Sequence, residues 1–294
     1  MRDVDRRRPL IFGEVLFDAF PDGSRVLGGA PFNVAWHLRA LGLDPLLVSR
    51  VGADGAGDEV LRAMHDWQLD VSGVQRDPNH PTGRVAVTLE GGQPAYDILP
   101  DQAYDHIAAP PVSFPAALVY HGTLALRAQA SRRALDALCA DSGAPVFVDV
   151  NLRDPWWDAG SVGERLDAAR CKLNEHELTT LAGSGEPVAA ARRLIARHDL
   201  SQLFVTLGAA GAFAMGEDGL LAEATPEAPT AVVDTVGAGD AFAAVLIAGL
   251  LGGWPAALTM RRAQQLASGI CGLRGAVPQG ADLYRSMLRR WARD

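Results

Sequence analysis

The chain has 294 residues, 48% of them hydrophobic, enough to bury a large core and to exclude disorder as its default state. Its 27 Lys and Arg against 35 Asp and Glu leave a formal charge of −8, which argues against a nucleic-acid backbone binder but permits a local site for a small anion. Cys139, Cys171 and Cys271 stand far apart without metal or redox spacing, and their odd number fits buried thiols in a reducing compartment.

In chain order, the charged stretch from Met1 to Arg8 leads into an apolar run that Gly13 and Glu14 interrupt too early for a signal peptide. No uncharged run approaches the roughly 18 residues of a spanning helix. The expectation is a soluble, cytoplasmic protein that binds no membrane. Short apolar runs predict buried strands over residues 10–15, 45–51, 117–120, 145–150 and 202–206. Helical periodicity predicts helices over 31–41, 55–67, 128–140, 188–198, 238–251 and 255–273. This alternation predicts an α/β fold, a central mostly parallel sheet flanked by helices. Residues 15–26 and 83–99 break it as hairpin material, with turns at Pro21-Asp-Gly-Ser24 and Gly91-Gly92-Gln93, and suit a small β-lid. Residues 203–224 read as successive strands. No linker or repeat divides the chain, so residues 1–294 are expected to form a single domain.

The densest chemistry lies in Asp234-Thr-Val-Gly-Ala-Gly-Asp-Ala-Phe242, just before an apolar helix. Gly237 and Gly239 allow a tight turn, so that the N–H groups of Gly237, Ala238 and Gly239 converge at a helix N-terminus, where unpaired amides and the dipole attract anions. Asp240 then falls in the first helical turn, placed to deprotonate an alcohol attacking a phosphate. Gly-x-Gly-Asp alone is equally an ordinary loop into a helix with an acidic first turn.

The full nine-residue string resembles the C-terminal signature of the PfkB, ribokinase-like carbohydrate kinases. The resemblance implies that Asp240 is the catalytic base, that residues 237–239 form an anion hole, and that the segment near Asp234 lines a site for a monovalent cation such as K+. A second match, Gly28-Gly-Ala-Pro-Phe-Asn-Val-Ala35, resembles the family's N-terminal glycine-rich motif. It implies close sugar approach at Gly28 and Gly29 and hydrogen bonds from Asn33 to sugar hydroxyls; by itself it is a turn with an early helical proline. Gly13-Glu-Val-Leu-Phe-Asp18 resembles the family's first strand, ending in an aspartate that accepts from two adjacent hydroxyls, here Asp18.

The remaining matches follow in family order. Val51-Gly-Ala-Asp-Gly-Ala-Gly57 resembles a strand-to-helix turn, read as structural. Asp149-Val-Asn-Leu-Arg153 resembles a fructokinase segment and implies that Arg153 contacts sugar or transferred phosphate. Asn174-Glu-His-Glu177 resembles the Asn-x-x-Glu motif that orders Mg2+ and phosphate, with Glu177 acting through water; a helix start with acidic first-turn residues is compatible with it. Thr206-Leu-Gly-Ala-Ala-Gly211 resembles the nucleotide-side loop, with Thr206, Gly208 and Gly211 near ATP. Residues 266–275 fall where the family forms part of its adenine pocket, with Cys271 an apolar wall. His121 reads as a core or rim residue.

Together these imply a ribokinase-like fold with lid segments at 15–27 and 83–100, and an ATP- and Mg2+-dependent sugar kinase. Fructokinase-like motifs point to D-fructose becoming fructose 6-phosphate; ribose, 2-keto-3-deoxygluconate and a nucleoside are the alternative acceptors. Pro155-Trp-Trp157 departs from the expected Pro-Leu-Trp pattern beside Arg153. A non-catalytic sugar- or nucleotide-binding protein is the different-class alternative, and the intact Asp240 argues against it. The exposed lid edge implies a homodimer.

Overall fold

The computed structural model describes residues 7–90, 93–167, 169–226 and 232–293. The chain runs through β1 (Arg8–Phe12), β2 (Leu16–Ala19), β3 (Arg25–Gly28), α1 (Ala30–Ala40), β4 (Leu46–Gly52), α2 (Gly55–Asp66), β5 (Val74–Asp77), β6 (Gly83–Glu90) and β7 (Gln93–Ile98). It continues through β8 (Ala116–His121), α3 (Gln129–Ser142), β9 (Val146–Asp149), α4 (Ala159–Leu166), β10 (Arg170–Asn174), α5 (Glu175–Ala182) and α6 (Pro187–His198). The last elements are β11 (Gln202–Thr206), β12 (Ala212–Gly216), β13 (Gly219–Ala224), α7 (Ala238–Gly252), α8 (Ala256–Cys271) and α9 (Asp282–Trp291).

Among the described residues, nine strands form the central sheet in the order β13-β12-β11-β10-β9-β8-β1-β4-β5. All neighbours from β11 to β5 pair in parallel, and β12 and β13 add an antiparallel end. Both faces are covered, which is why the strands read as unbroken apolar runs. On β1, Ile11 packs into a core shared with α1, α7 and α8, while Leu10 and Phe12 pack into a second core with α3. A third core joins Cys171 and Leu173 of β10 to α4, α5 and α6. No helix among the described residues is long and apolar enough to cross a membrane.

A second sheet, β3-β2-β6-β7, is the expected lid. Its two hairpins, β2 with β3 and β6 with β7, are antiparallel, and β2 joins β6 in parallel. Gly91 and Gly92 of the predicted second turn lie outside the described residues. One expectation is corrected here. The first strand stops at Phe12, because Gly13 takes φ +143 and the chain turns away into the lid. Asp18 stands on lid strand β2, inside the expected lid segment 15–27, and the first core strand ends at Phe12 where residues 10–15 were expected.

The predicted elements omit β5, β10, α4 and α9. In β10 the charges of Arg170 and Lys172 hide the strand, and α9 carries arginines between its buried Tyr284 and Trp291. The turn at residues 51–57 is structural, as expected: Asp54 caps α2 by accepting from the Gly57 N–H, and it also accepts from the Thr82 N–H and hydroxyl. Asp54 thereby pins the chain just before β6.

The return from the lid is anchored by Arg127, whose guanidinium donates to both Asp105 oxygens at 2.7 Å and to the Leu99 carbonyl. Trp156 lies 4.4 Å over the same guanidinium, which gives the divergent Pro155-Trp-Trp157 segment a packing role. Both ions of this pair are buried. Arg127→Met would leave Asp105 uncompensated and is expected to cost about 3–5 kcal/mol in urea denaturation, with the Arg127→Met/Asp105→Leu double variant recovering part of that loss.

Candidate active site

Helix α7 begins at Gly237 with φ +79, and a Cβ there would lie 2.4 Å from Ala276 Cα, so only glycine fits. As N-cap it supplies no side chain, which leaves the first-turn amides to an external acceptor. Of the three amides expected to form the anion hole, that of Ala238 leans toward the Thr235 carbonyl at 3.3 Å. Asp240 stands in this first turn, partly buried.

Opposite, α1 starts at Gly29, whose φ is +109 and whose Cβ would lie 2.6 Å from the Glu14 carbonyl oxygen. That close approach brings Asn33 within reach of α7, and its Nδ2 donates to Asp240 Oδ2 at 2.7 Å. Sequence reasoning assigned Asn33 to sugar hydroxyls alone; here its amide nitrogen orients the carboxylate. The buried Oδ1 of Asn33 has no hydrogen-bond partner among the described residues. Burial pushes Asp240 up to about 6; the Asn33 hydrogen bond opposes this, the negative Asp149 adds to it, and Lys172 and Arg153 oppose it.

Below Asp240 lies a pair that the sequence reading missed. Lys172 Nζ is 2.8 and 3.0 Å from the two Asp149 oxygens, both residues buried. Tyr120 donates to the same carboxylate. A Cβ on Gly239 would lie 3.3 Å from Lys172 Nζ, so the ammonium sits directly beneath the first turn of α7. Burial alone would lower the Lys172 pKa, but Asp149, Glu177 and Asp240 around it raise it.

Glu14 was also missed as a site residue. It is buried with Oε2 unpartnered among the described residues, and burial lifts it to about 7, with the charge on Asp240 adding to the rise. A charged residue inside an apolar run was its available signal. Asp18 faces this cleft: its lid register aligns it with Val85 and Ile98, both buried, on one face of the small sheet. Burial raises its pKa, and Arg153 opposes the rise. Tyr96 of β7 feels the charges of Asp18, Asp234 and Arg153, which places a lid phenol at the same opening. Arg153 itself is exposed, with a donated bond to the Leu152 carbonyl.

On the other side of the cleft, Asn174 and Glu177 form a reciprocal capping box at the start of α5. Glu177 Oε2 accepts from the Asn174 N–H and Oε1 from the Leu152 N–H, so this carboxylate also fixes the turn that carries Arg153. Thr206 ends β11, and Gly208 follows with φ +57 and open space at its Cβ position. Gly211 has a different reason to be glycine: its Cβ would lie 2.1 Å from the Ala224 carbonyl oxygen, a packing constraint of the β12–β13 end. Gly28 ends β3 beside Asn33. The Cys271 carbonyl accepts from the Val233 and Asp234 N–H groups, while the Asp234 carboxylate accepts from Val236 and Gly275. His121 is buried and lowered to about 4 by that burial, a core residue as expected.

The glycine-capped helix end holding a carboxylate accompanies a small β-sheet, and the model of the pfkB family carbohydrate kinases matches residues 1–280. The chain belongs to this family. Its relatives include the fructokinase of Klebsiella pneumoniae, 33% identical in an alignment that covers 94% of this chain and 98% of that protein. The Salmonella typhimurium fructokinase is 30% identical, over 92% of this chain and 94% of its own. Among solved structures, a double-mutant fructokinase from Vibrio cholerae O395 in fructose, ADP and potassium ion bound form superposes with a TM-score of 0.81 at 27% identity, covering 97% of this chain and 99% of that one. The aminoimidazole riboside kinase of Salmonella enterica shares the fold at TM-score 0.80 and 23% identity, with 96% and 100% covered. This PfkB chain is thus a sugar kinase with the ribokinase-like fold.

The Gly237→Ala variant meets both a positive φ and the Ala276 backbone. It is expected to lose more than the roughly 1–3 kcal/mol of backbone strain alone, read as a lower melting temperature, and to lose turnover with it.

Proposed function

We propose that this kinase transfers the γ-phosphoryl group of ATP to the 6-hydroxyl of D-fructose, with Asp240 as the general base. The observation that carries the role of Asp240 is the hydrogen bond it accepts from Asn33 of α1, which orients a carboxylate of raised pKa at the positive end of α7. Fructose is favoured over ribose, a sugar acid or a nucleoside because the two relatives named above, at 33% and 30% identity, are fructokinases. The non-catalytic alternative loses support from the intact base.

In this reading the sugar lies between Asp18, the backbone at Gly28 and Gly29, the free Asn33 Oδ1 and Arg153. Asp240 takes the hydroxyl proton as the oxygen attacks phosphorus. The first-turn amides at Gly237, Ala238 and Gly239 stabilise charge gathering on the phosphoryl oxygens, with Lys172 adding a positive charge from below. Asn174, Thr206 and Gly208 line the nucleotide side; Gly211 shapes that loop. The Glu177 carboxylate offers oxygen acceptors, the chemistry Mg2+ takes, and each of its oxygens keeps a lone pair for a water on the ion. When bound, Mg2+ screens the phosphate charges. The loop tied down by Asp234 is the proposed place for a monovalent cation such as K+. Closing the lid excludes water and limits ATP hydrolysis.

Coupled-enzyme detection of ADP with MgATP and fructose, ribose, 2-keto-3-deoxygluconate, glucose or adenosine tests the assignment. Turnover is expected on fructose, with Asp240→Asn folded and at least 100-fold slower, the usual scale of a lost general base. Turnover on another acceptor only would overturn fructose and keep the base.

Asp240 acts only when ionised, so kcat/KM should fall as pH drops through about 6. Asn33→Ala removes a hydrogen bond that lowers this pKa. The acidic limb of its profile should therefore move to higher pH, and an unmoved limb would count against Asp240 as the titrating base.

Lid strands β3 and β7 form open edges, and Val26 and Tyr96 near them are exposed. These edges support the proposal of a homodimer through the lid, and light scattering is expected to show a species of twice the chain mass at micromolar concentration; monomer alone throughout would refute it.

A further inference from the structure

Two imidazoles and a carboxylate meet at the root of the lid. His80 lies between β5 and β6, whereas Asp101 and His106 follow β7, so the segments that enter and leave the lid come together there. The two rings stack with centroids 3.6 Å apart and planes 15° apart. His106 Nε2 is 2.8 Å from Asp101 Oδ1, and His80 Nε2 is 3.6 Å from the same oxygen. One nitrogen from each ring and one carboxylate oxygen all lie within 4.8 Å of one another.

A chance surface cluster would leave these rings free to rotate, and here His80 is not free. Its Nδ1 lies 3.0 Å from Asp77 Oδ2. Asp77 is buried, pairs with Arg50 Nε at 2.6 Å and accepts from the N–H groups of Asn79 and His80. With Arg50 beside it, Asp77 is an ionised acceptor, so it takes the Nδ1 hydrogen of His80 and leaves the Nε2 lone pair directed toward Asp101. A carboxylate that orients a histidine through its second nitrogen is the supporting arrangement of metal-binding imidazoles. Asp101 adopts φ +54, a left-handed conformation that costs energy for a residue with a side chain, and this brings its carboxylate under both rings. Its side chain is 73% exposed, so an ion can enter from solvent.

We propose that His80, Asp101 and His106 form a site for a divalent first-row transition ion, Zn2+ above all, bridging the two chain segments at the root of the lid. Two imidazole nitrogens and one carboxylate oxygen suit Zn2+ and discriminate against Mg2+ and Ca2+, which take oxygen donors. The ion takes the place of the hydrogen now shared by His106 Nε2 and Asp101. His106 keeps a hydrogen on Nδ1, any proton displaced goes to solvent, and water completes the coordination. Nothing in the kinase reading assigns these residues a role, and the site stands or falls independently of the sugar phosphorylated.

Titration of Zn2+ into the full chain, without nucleotide and in excess Mg2+, tests the proposal by calorimetry and by metal analysis after dialysis. One equivalent is expected to bind. His80→Ala and His106→Ala should each weaken it at least ten-fold, and Asp77→Asn by about 10–100-fold, the usual effect of losing an orienting partner. His106→Gln keeps a hydrogen-bond donor toward Asp101 and serves as the folded control, checked by circular dichroism; it too should lose the ion. Co2+ in place of Zn2+ should give visible d–d bands without thiolate charge transfer. Binding unchanged in the histidine variants, no stoichiometric binding by the parent chain, or a thiolate signature would each overturn the site.

Discussion

Asp240 is held where the N-termini of α1 and α7 converge, and the single hydrogen bond from Asn33 decides which way it faces. Several constraints elsewhere in the chain exist to make that contact possible. Gly29 must let α1 pass close to the Glu14 backbone, and Gly237 must let α7 turn against Ala276. Either helix start displaced by one side chain would separate the amide from the carboxylate. The same geometry creates a tension: a helix N-terminus favours a negative charge, but burial disfavours it. The outcome is a carboxylate raised to about 6 by its burial, in keeping with the general base proposed above.

Beneath it, Lys172 and Asp149 solve a second electrostatic problem. A site that receives a highly charged phosphate needs positive charge close by, and an ammonium with no partner would be expensive to bury. Pairing it with Asp149 keeps Lys172 charged in a buried place. The pair then balances Asp240 from one side by attraction and from the other by repulsion, as the opposing effects of Lys172 and Asp149 on its pKa show. Glu177 extends the arrangement by capping α5 and holding the Leu152 amide, linking the nucleotide side to the turn that bears Arg153.

The alternating sheet and helices were legible because parallel strands covered on both faces must be apolar throughout. The glycine-rich turns were legible because their residue types have few other uses. What sequence could not reveal were contacts made by residues whose neighbours in space are far away in the chain. Lys172 carried no sequence signal, because its partner Asp149 stands on the neighbouring strand β9 and meets it only in the folded sheet. Glu14 looked like part of a strand motif until the turn at Gly13 buried it beside Asp240. The first core strand was drawn three residues too long for a related reason, since the positive φ at Gly13 redirects the chain into the lid already at that residue. Gly211 shows the converse: its identity was read as ligand approach, whereas the backbone of Ala224 accounts for it.

The small sheet is stitched from two hairpins that are distant in the chain, joined only where β2 meets β6 in parallel. Each hairpin can zip locally, but their union waits for the intervening α1, β4, α2 and β5 to close a long loop. The cover of the cleft is therefore among the last parts of the molecule to assemble and among the first to open under native conditions, while the central sheet persists. The strands proposed to grip the acceptor thus belong to a later and more labile folding unit than the helix ends proposed to activate it.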